Sequence, residues 1–495
     1  MAQHADGHSV ATEEPRKIKP DSVIQTQLII LGCFPLSEGV AWASIFPYIY
    51  SMVKSLSGPE SSKDNIAIYA GLMVSVFTFG EFVGAPQSAK VSDRIGRKPT
   101  LLIGSIGAVC KDLCGFAESE FGRRTGLRWR ASEQKAGRAK GFSTVSFLRG
   151  LGTIIGPVIG GYLAEPVKNY PCLFQEGTIR DKFPYLLPNL VVVMFLLGSC
   201  TIGLFCLEEV HPEFRDQVDI RWILVSRIRN IFRGTGWSSG EGTYTSLRAD
   251  ETDVEAPVVP ASPTEAFEER GVKPPSAFTR QVKLQILSVA IQGFLKISTL
   301  AIVPVFLATP SGPDQPLNPT RGSEVIRGIL GVKGGLGLNT MNTSNVLLSQ
   351  AVAAIAGQIL VPRIIDRHGA LQSCRAVFVI LMFLYYLLPF TATWSTWTGL
   401  PTMLIILWVH AVASSLATTC SSILLKSTVP SPIYLATVNG ASASLGCLAR
   451  TLGPAVSGPL FRFGLQIGYV GLPFWLLGVV AGLGGIVSLY LVDHA

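Results

Sequence analysis

Seven charged residues stand inside the apolar runs of this chain, where a charge is hard to keep. They are Glu38, Glu81 and Asp112 on the acidic side, and Lys111, Arg149, Lys296 and Arg450 on the basic side. A charge at the centre of a bilayer costs roughly 2.5–3.5 kcal/mol or more, so such residues pair with one another or line a path for protons, ions or substrate. The near balance of signs points to internal pairing. Glu38 lies about a dozen residues into the first run, near mid-membrane at ~1.5 Å per residue. A carboxylate there can pick up and release a coupling proton; the other reading is a fixed ion-pair partner. Glu81 precedes Asp93 by 12 residues, ~18 Å along a helix, and is either structural or proton-linked. Lys296 is placed to face a cavity, where it would neutralise an acidic substrate or pair with Glu38. Arg149 sits only two turns into its run, within snorkelling reach of the surface. Lys111 and Asp112 are adjacent and point ~100° apart on a helix, so they pair poorly with each other. His410 is the one histidine inside a run; a hydrogen-bonded core role and a proton relay are both open to it.

The elements that must hold these residues are membrane helices. Of 495 residues, 48% are apolar and 15% charged, against roughly 25% charged in soluble domains. The fifty residues between Arg375 and Lys426 contain no Asp, Glu, Lys or Arg. They split around Trp394 and Trp397, tryptophans of the kind that mark a membrane–water boundary. Runs long enough to span are expected at 27–50, 66–88, 100–117, 142–164, 185–207, 284–308, 342–362, 376–393, 401–425, 435–459 and 468–492, eleven in all. The fold class is therefore all-α, a polytopic membrane protein. The expected organisation is a polar cytoplasmic tail over 1–26, a first helix bundle over 27–207, a cytoplasmic linker over 208–283 and a second, six-helix bundle over 284–495. Arg16, Lys17 and Lys19 precede the first run with no cleavable leader, which places the N-terminus inside. The linker starts with apolar residues at helical spacing (Ile220, Ile223, Leu224, Ile228), which read either as a solvated basic linker or as a helix lying on an anionic leaflet. Its remainder, rich in Ser, Thr, Glu, Gly and Pro, is expected to be disordered. The net charge of +8 falls in loops between runs as the positive-inside bias requires, and does not argue for nucleic acid.

A repeat organises the runs. Asp93-Arg94-Ile95-Gly96-Arg97-Lys98 follows one apolar run, and Asp366-Arg367-His368-Gly369 follows another. Gly156-Pro157-Val158-Ile159-Gly160-Gly161 comes after the first copy, Gly453-Pro454-Ala455-Val456-Ser457-Gly458 after the second. Repeated halves of this kind build secondary transporters. Asp93 at a helix end can accept from a neighbouring helix N-terminus, with a gain of ~0.3–1 kcal/mol. Arg94 and Arg97 can engage carboxylates or lipid phosphates, and Gly96 allows a tight turn. Gly152, Gly156, Gly160 and Gly161 make a small-residue face for close helix contact, and Pro157 removes a backbone hydrogen bond and allows a kink. The halves do not match in length. Asp93 to Pro157 is 64 residues and Asp366 to Pro454 is 88, a difference of about one span. The deficit falls between Glu118 and Lys140, which carries seven Lys or Arg and no run long enough to cross. Either a helix is lost there, by a misread exon boundary or a splice variant, or the chain works with eleven.

These residues resemble a known family. Ala89-x-x-x-Asp93-Arg94-x-Gly96-Arg97-Lys98 is similar to the loop signature between the second and third helices of the major facilitator superfamily. Gly152 with Gly156-Pro157-x-x-Gly160-Gly161 is similar to the fifth-helix signature of its drug:proton antiporter branch. Ser44-Ile45-Phe46-Pro47-Tyr48, Phe306-Leu307-Ala308-Thr309-Pro310 and Pro430-Ser431-Pro432 resemble fungal members related to plant zinc-induced-facilitator-like transporters. The likeness implies a two-bundle fold of twelve helices, here lacking the fourth, and Ala89 stands where the signature usually has Gly. It further implies a gating latch at the Asp93 and Asp366 loops, and a fifth helix tied to antiport and outer sealing.

The expected function is secondary active transport, proton-coupled antiport or efflux of small organic molecules. The rival is a non-transporting or defective relative, a sensor or mis-spliced product. The expected partners are a small organic substrate, protons and membrane lipid, without nucleic acid, and the plasma membrane is favoured over the vacuolar. Trp42, Phe46, Phe77, Phe79 and Phe294 would suit an amphipathic substrate, or simply pack. No cofactor or metal is expected: the nine cysteines show no ligand spacing, and no Walker loop, His-Glu-x-x-His or Gly-x-Ser-x-Gly points to an enzyme or a primary pump.

Overall fold

In the computed structural model, residues 21–56, 65–95, 100–109, 139–174, 177, 183–207, 278–310, 334–394, 396–430 and 434–492 are described. Every regular element among them is a helix. The first half contains α1 (Asp21–Ser44), α2 (Ile49–Leu56), α3 (Ile66–Ile95), α4 (Thr100–Val109), α5 (Ala139–Leu163) and α6 (Leu186–Cys206). The second half contains α7 (Arg280–Ala308), α8 (Thr340–His368), α9 (Ala370–Leu387, continued by a 3-10 turn over Leu388–Thr393), α10 (Thr396–Thr428), α11 (Leu435–Ile467) and α12 (Leu472–Leu489).

Seven of the described helices are long and apolar enough to cross a membrane, and eight spans result when the bent α1–α2 pair is taken as one. The expected eleven is reached only when α4, α5 and α11 cross as well. The first span departs from the continuous run expected over 27–50. It breaks between Ser44 and Ile49 and bends by 53°. Pro47 explains this: it lacks an N–H and disfavours helical geometry at Phe46. Elsewhere capping carries helices beyond their apolar runs. The Thr279 hydroxyl accepts from the Val282 N–H at 3.3 Å, and Asn339 Oδ1 accepts from the Asn342 N–H at 2.8 Å. Both satisfy donors that the first turn leaves open. The basic segment behind the suspected missing helix and the linker middle lie outside the described residues.

Each half is built around a helix pair in close contact. In the first, α1 packs along α5 and against α6; in the second, α7 packs along α11, and α9 lies against α10 and α12. The halves meet along two seams, α3 on α11 and α5 on α8. Glycines make both seams tight. A Cβ at Gly71 of α3 would lie 2.6 Å from the Pro454 carbonyl oxygen, and one at Gly458 of α11 would lie 2.7 Å from that of Ala67. On the other seam a Cβ at Gly161 would run into Ser344 of α8, whose hydroxyl donates to the Pro157 carbonyl. Gly161 and Gly458 each stand four residues after the proline of their repeat, so the sequence repeat is also a repeat of the seam.

All these contacts lie toward the end of the bundle remote from the Asp93 and Asp366 loops. The same end carries the apolar core shared by both halves: Phe46, Ile49, Ala67 and Val74 from one, and Ile302, Phe306, Leu347, Phe461 and Phe474 from the other. Toward the loops, Phe147 on α5 and Ile359 and Leu360 on α8 are exposed.

Arg375 at the start of α9 closes the C-terminal end of α12. Its Nε donates to the Ser488 carbonyl at 3.0 Å, and its Nη2 to those of Leu491 at 3.0 Å and Leu489 at 3.3 Å. A cation at a helix C-terminus is favourable, and hydrogen bonds from a charged donor contribute roughly 1.5–3 kcal/mol each. Arg375→Leu is therefore expected to lower the melting temperature in detergent by ~3–6 °C, measured by scanning fluorimetry, with Arg375→Lys intermediate.

Candidate functional site: a charged cavity between the halves

The glycine face of α5 puts charge at the centre. Gly152 and Gly156 lie so close to α1 that a Cβ at Gly156 would be 2.6 Å from that of Ala43. Gly39 answers from α1, where a Cβ would stand 2.7 Å from the Arg149 carbonyl oxygen. Backbones this close bring the neighbouring side chains together, and Arg149 Nη2 lies 3.6 Å from Glu38 Oε2. A buried hydrogen bond one residue earlier, Ser37 Oγ to Ser199 Oγ at 2.9 Å, fixes α1 against α6 at the same height. Arg149 thus turns into the bundle and not to the surface that snorkelling would reach. The expected Lys296–Glu38 pair gives way to Arg149–Glu38, because α5 and not α7 is the neighbour of α1.

The second carboxylate is held from the opposite half. Arg450 of α11 places Nη1 3.7 Å from Glu81 Oε2 of α3. The path is opened by Gly293 of α7, where a Cβ would stand 3.3 Å from Arg450 Cγ. The pair therefore bridges the α3–α11 seam. Neither pair is sealed: the side chains of Glu38 and Arg149 are 36% and 41% accessible, and those of Glu81 and Arg450 both 32%.

Lys296 on α7 completes the group. It is exposed, yet protein surrounds it closely enough that Arg149 and Arg450 both act on it electrostatically. Exposure inside such an enclosure means that Lys296 faces an internal, water-accessible space. It has no ion-pair or hydrogen-bond partner among the described residues.

Aromatic rings close this space on the side away from the loops. Trp42 follows Glu38 by one helical turn, and Phe77 precedes Glu81 by one, so each shares a face with its carboxylate. Trp42 and Phe77 pack at 4.7 Å with planes tilted 34° apart, and Phe46 meets Trp42 edge-on at 5.3 Å. Phe79 instead lies against Phe82 at 6.3 Å.

Behind Lys296 runs a buried polar chain that no local pattern of residues announces. Thr299 Oγ1 is 2.7 Å from the Tyr385 hydroxyl, which is 2.9 Å from His410 Nε2. Three helices, α7, α9 and α10, are tied together there. His410 is buried and hydrogen-bonded through Nε2, and its Nδ1 has no partner among the described residues.

The two copies of the charged loop motif close α3 and α8. Asp93 and Arg94 lie in the last turn of α3, while Gly96, Arg97 and Lys98 lie outside the described residues, as do Lys111 and Asp112. In the second copy Asp366 and Arg367 are exposed, and Gly369 takes φ 78°, ψ 158°, a region open to glycine alone. That one residue joins α8 to α9.

An all-helical chain with repeated halves, meeting around a charged internal space, defines a multi-pass membrane transporter. It is 33% identical over 512 aligned residues to the Major facilitator superfamily multidrug transporter mfsB of Aspergillus fumigatus, covering 94% of this chain and 83% of that protein. The chain belongs to the major facilitator superfamily. Residues 39–129 match the family model described as Sugar (and other) transporter. Protein ZINC INDUCED FACILITATOR 1 of Arabidopsis thaliana is 30% identical over 209 residues, 39% of this chain and 43% of that protein. Among solved structures, the D-xylose-proton symporter superposes with a TM-score of 0.54 at 13% identity, over 95% of this chain and 98% of that one; the likeness is one of fold.

Proposed function

We propose that this protein is a proton-coupled antiporter that exports small organic molecules, with Glu38 and Glu81 as its coupling carboxylates. The observation that carries this is the state of those two groups. Each faces an arginine at 3.6–3.7 Å with about a third of its side chain open to water. An ion pair so placed is stable while the carboxylate is charged and weakens when it takes up a proton. Because the Glu81–Arg450 pair links the halves, its protonation alters how firmly they close. Proton binding thereby gains a differential effect on two conformations, which coupling requires.

The basic loops place the Asp93 end in the cytoplasm under the positive-inside bias. The tight end of the seams is then the outer one, and on this reading the charged space is reached from the cytoplasm. A carrier at rest in this state collects substrate from inside, which fits export, and the plasma membrane fits export from the cell. The mfsB relative, a multidrug transporter matched over 94% of the chain, supports the same direction. The alternative of a non-transporting relative gains nothing from a match of that extent.

Vesicles with an imposed pH gradient, loaded with fluorescein or rhodamine as test substrates, check the reading. Glu38→Gln is expected to cut gradient-driven flux at least tenfold, equivalent to ~1.4 kcal/mol, with dye binding retained. Gradient-driven flux that survives the substitution unchanged would remove Glu38 from the coupling role.

A further inference from the structure

We propose that the substrate is an amphipathic organic anion, with its acidic group on Lys296 and its apolar, planar part under Trp42 and Phe77. The inference rests on the transport reading above and gives it a substrate class. Among the described residues the cavity holds three cations, Arg149, Lys296 and Arg450, against two carboxylates, Glu38 and Glu81. Each arginine has a carboxylate at 3.6 or 3.7 Å, and Lys296 has none. The two charged groups that act on it electrostatically, Arg149 and Arg450, are both positive. A primary ammonium kept accessible in the field of two guanidinium groups is an unfavourable arrangement for the empty protein. An entering carboxylate, sulfonate or phosphate monoester relieves it, and a cationic substrate makes it worse. The low dielectric of the surroundings strengthens both effects.

The aromatic pair supplies the second half of the match. Trp42 and Phe77 are each only partly buried, one helical turn beyond Glu38 and Glu81 on the closed side. An aromatic or polycyclic body reaching them leaves its charged end at the height of the ion pairs. The tilted rings, with centroids 4.7 Å apart, offer an apolar aromatic surface to a flat substrate. The cavity thus orders its contents, apolar end toward the sealed side and anionic end toward Lys296.

Binding is measured on purified full-length protein by isothermal titration, without a proton gradient, using two probes that share one ring system: naphthalenesulfonate and naphthylmethylammonium. The sulfonate is expected to bind at least tenfold more tightly than the ammonium. Lys296→Met should abolish that preference, and Lys296→Arg should keep it. Equal or tighter binding of the ammonium by the unaltered protein overturns the proposal, as does a sulfonate affinity unchanged in a folded Lys296→Met variant. The comparison of probes on the unaltered protein stands even when a variant fails to fold. The two readings fail separately. Anion-selective binding without gradient-driven flux would defeat proton coupling and leave the anion site intact. Gradient-driven flux confined to cations would defeat the anion site and leave coupling intact.

Discussion

Gly156→Leu is expected to leave almost no correctly folded protein. A Cβ at this position would stand 2.6 Å from the Ala43 Cβ and 2.9 Å from both the Ser44 nitrogen and the Val40 carbonyl oxygen. Two of those three atoms are backbone, so relief requires α1 and α5 to separate along their length. Overpacking a core typically costs 1–3 kcal/mol, about that much even where side chains can move aside. Here they cannot, and leucine adds three more carbons beyond Cβ. Membrane helices associate chiefly through close packing and hydrogen bonds, with no hydrophobic force to compensate a lost contact. The same separation would pull Arg149 from Glu38 and break the Ser37–Ser199 bond. Size-exclusion profiles of a fluorescent fusion give the measurement: the monodisperse peak should vanish. Gly198→Leu on α6 is the control, since nothing lies within 4 Å of a Cβ there. A monodisperse, thermally unchanged Gly156→Leu protein would mean that α1 and α5 do not meet as described.

That glycine stripe was readable in advance as a feature of α5, since Gly152, Gly156 and Gly160 recur every four residues and therefore share one face. What it faced was not readable. Periodicity fixes the angle of a side chain about its own helix and leaves open the neighbour that the face will meet. Gly161, one residue further on, points about 100° away, and this separates packing on α1 from packing on α8 in the other half. The charges show the same limit. Seven ionisable residues in apolar runs announced a polar interior, but Arg149 sits close enough to a helix end for the surface to compete for it. Its partner follows from the α1–α5 approach, a tertiary fact. Arg450 could be assigned to Glu81 only once α11 was known to lie on α3, with Gly293 leaving the gap between them. The break at Pro47 is hidden in the same way, because an apolar run reads as continuous whether or not its backbone is. The chain Thr299–Tyr385–His410 draws one residue from each of three helices, and no local pattern joins them.

Glu81→Gln is expected to loosen the closed end of the bundle. Glutamine keeps the shape of a protonated glutamate and removes the charge that holds Arg450 across the α3–α11 seam, where the two side chains now stand 3.7 Å apart. An exposed pair contributes ~0.2–1 kcal/mol, and removing one partner of a fully buried pair costs ~3–5 kcal/mol. With both side chains 32% accessible, a value of ~1.5 kcal/mol between those limits is reasonable, about a tenfold shift in the closed-to-open ratio. Thr340 reports it: the residue is buried at the closed end, and its hydroxyl lies 3.1 Å from that of Ser51 in the other half. In a cysteine-depleted background, Thr340→Cys should react with an impermeant maleimide about tenfold faster when Glu81→Gln is present. Arg450→Gln should accelerate labelling as well, and the double substitution should add little to either single change, since both remove one interaction. Gly458→Leu pries the same seam by sterics, with a Cβ that would stand 2.7 Å from the Ala67 carbonyl oxygen, and sets the scale for an opened end. Fast labelling in Gly458→Leu with none gained in Glu81→Gln would show that packing alone closes the outer end. The Glu81–Arg450 pair would then be a bystander, and protonation of Glu81 could not drive the transition between states.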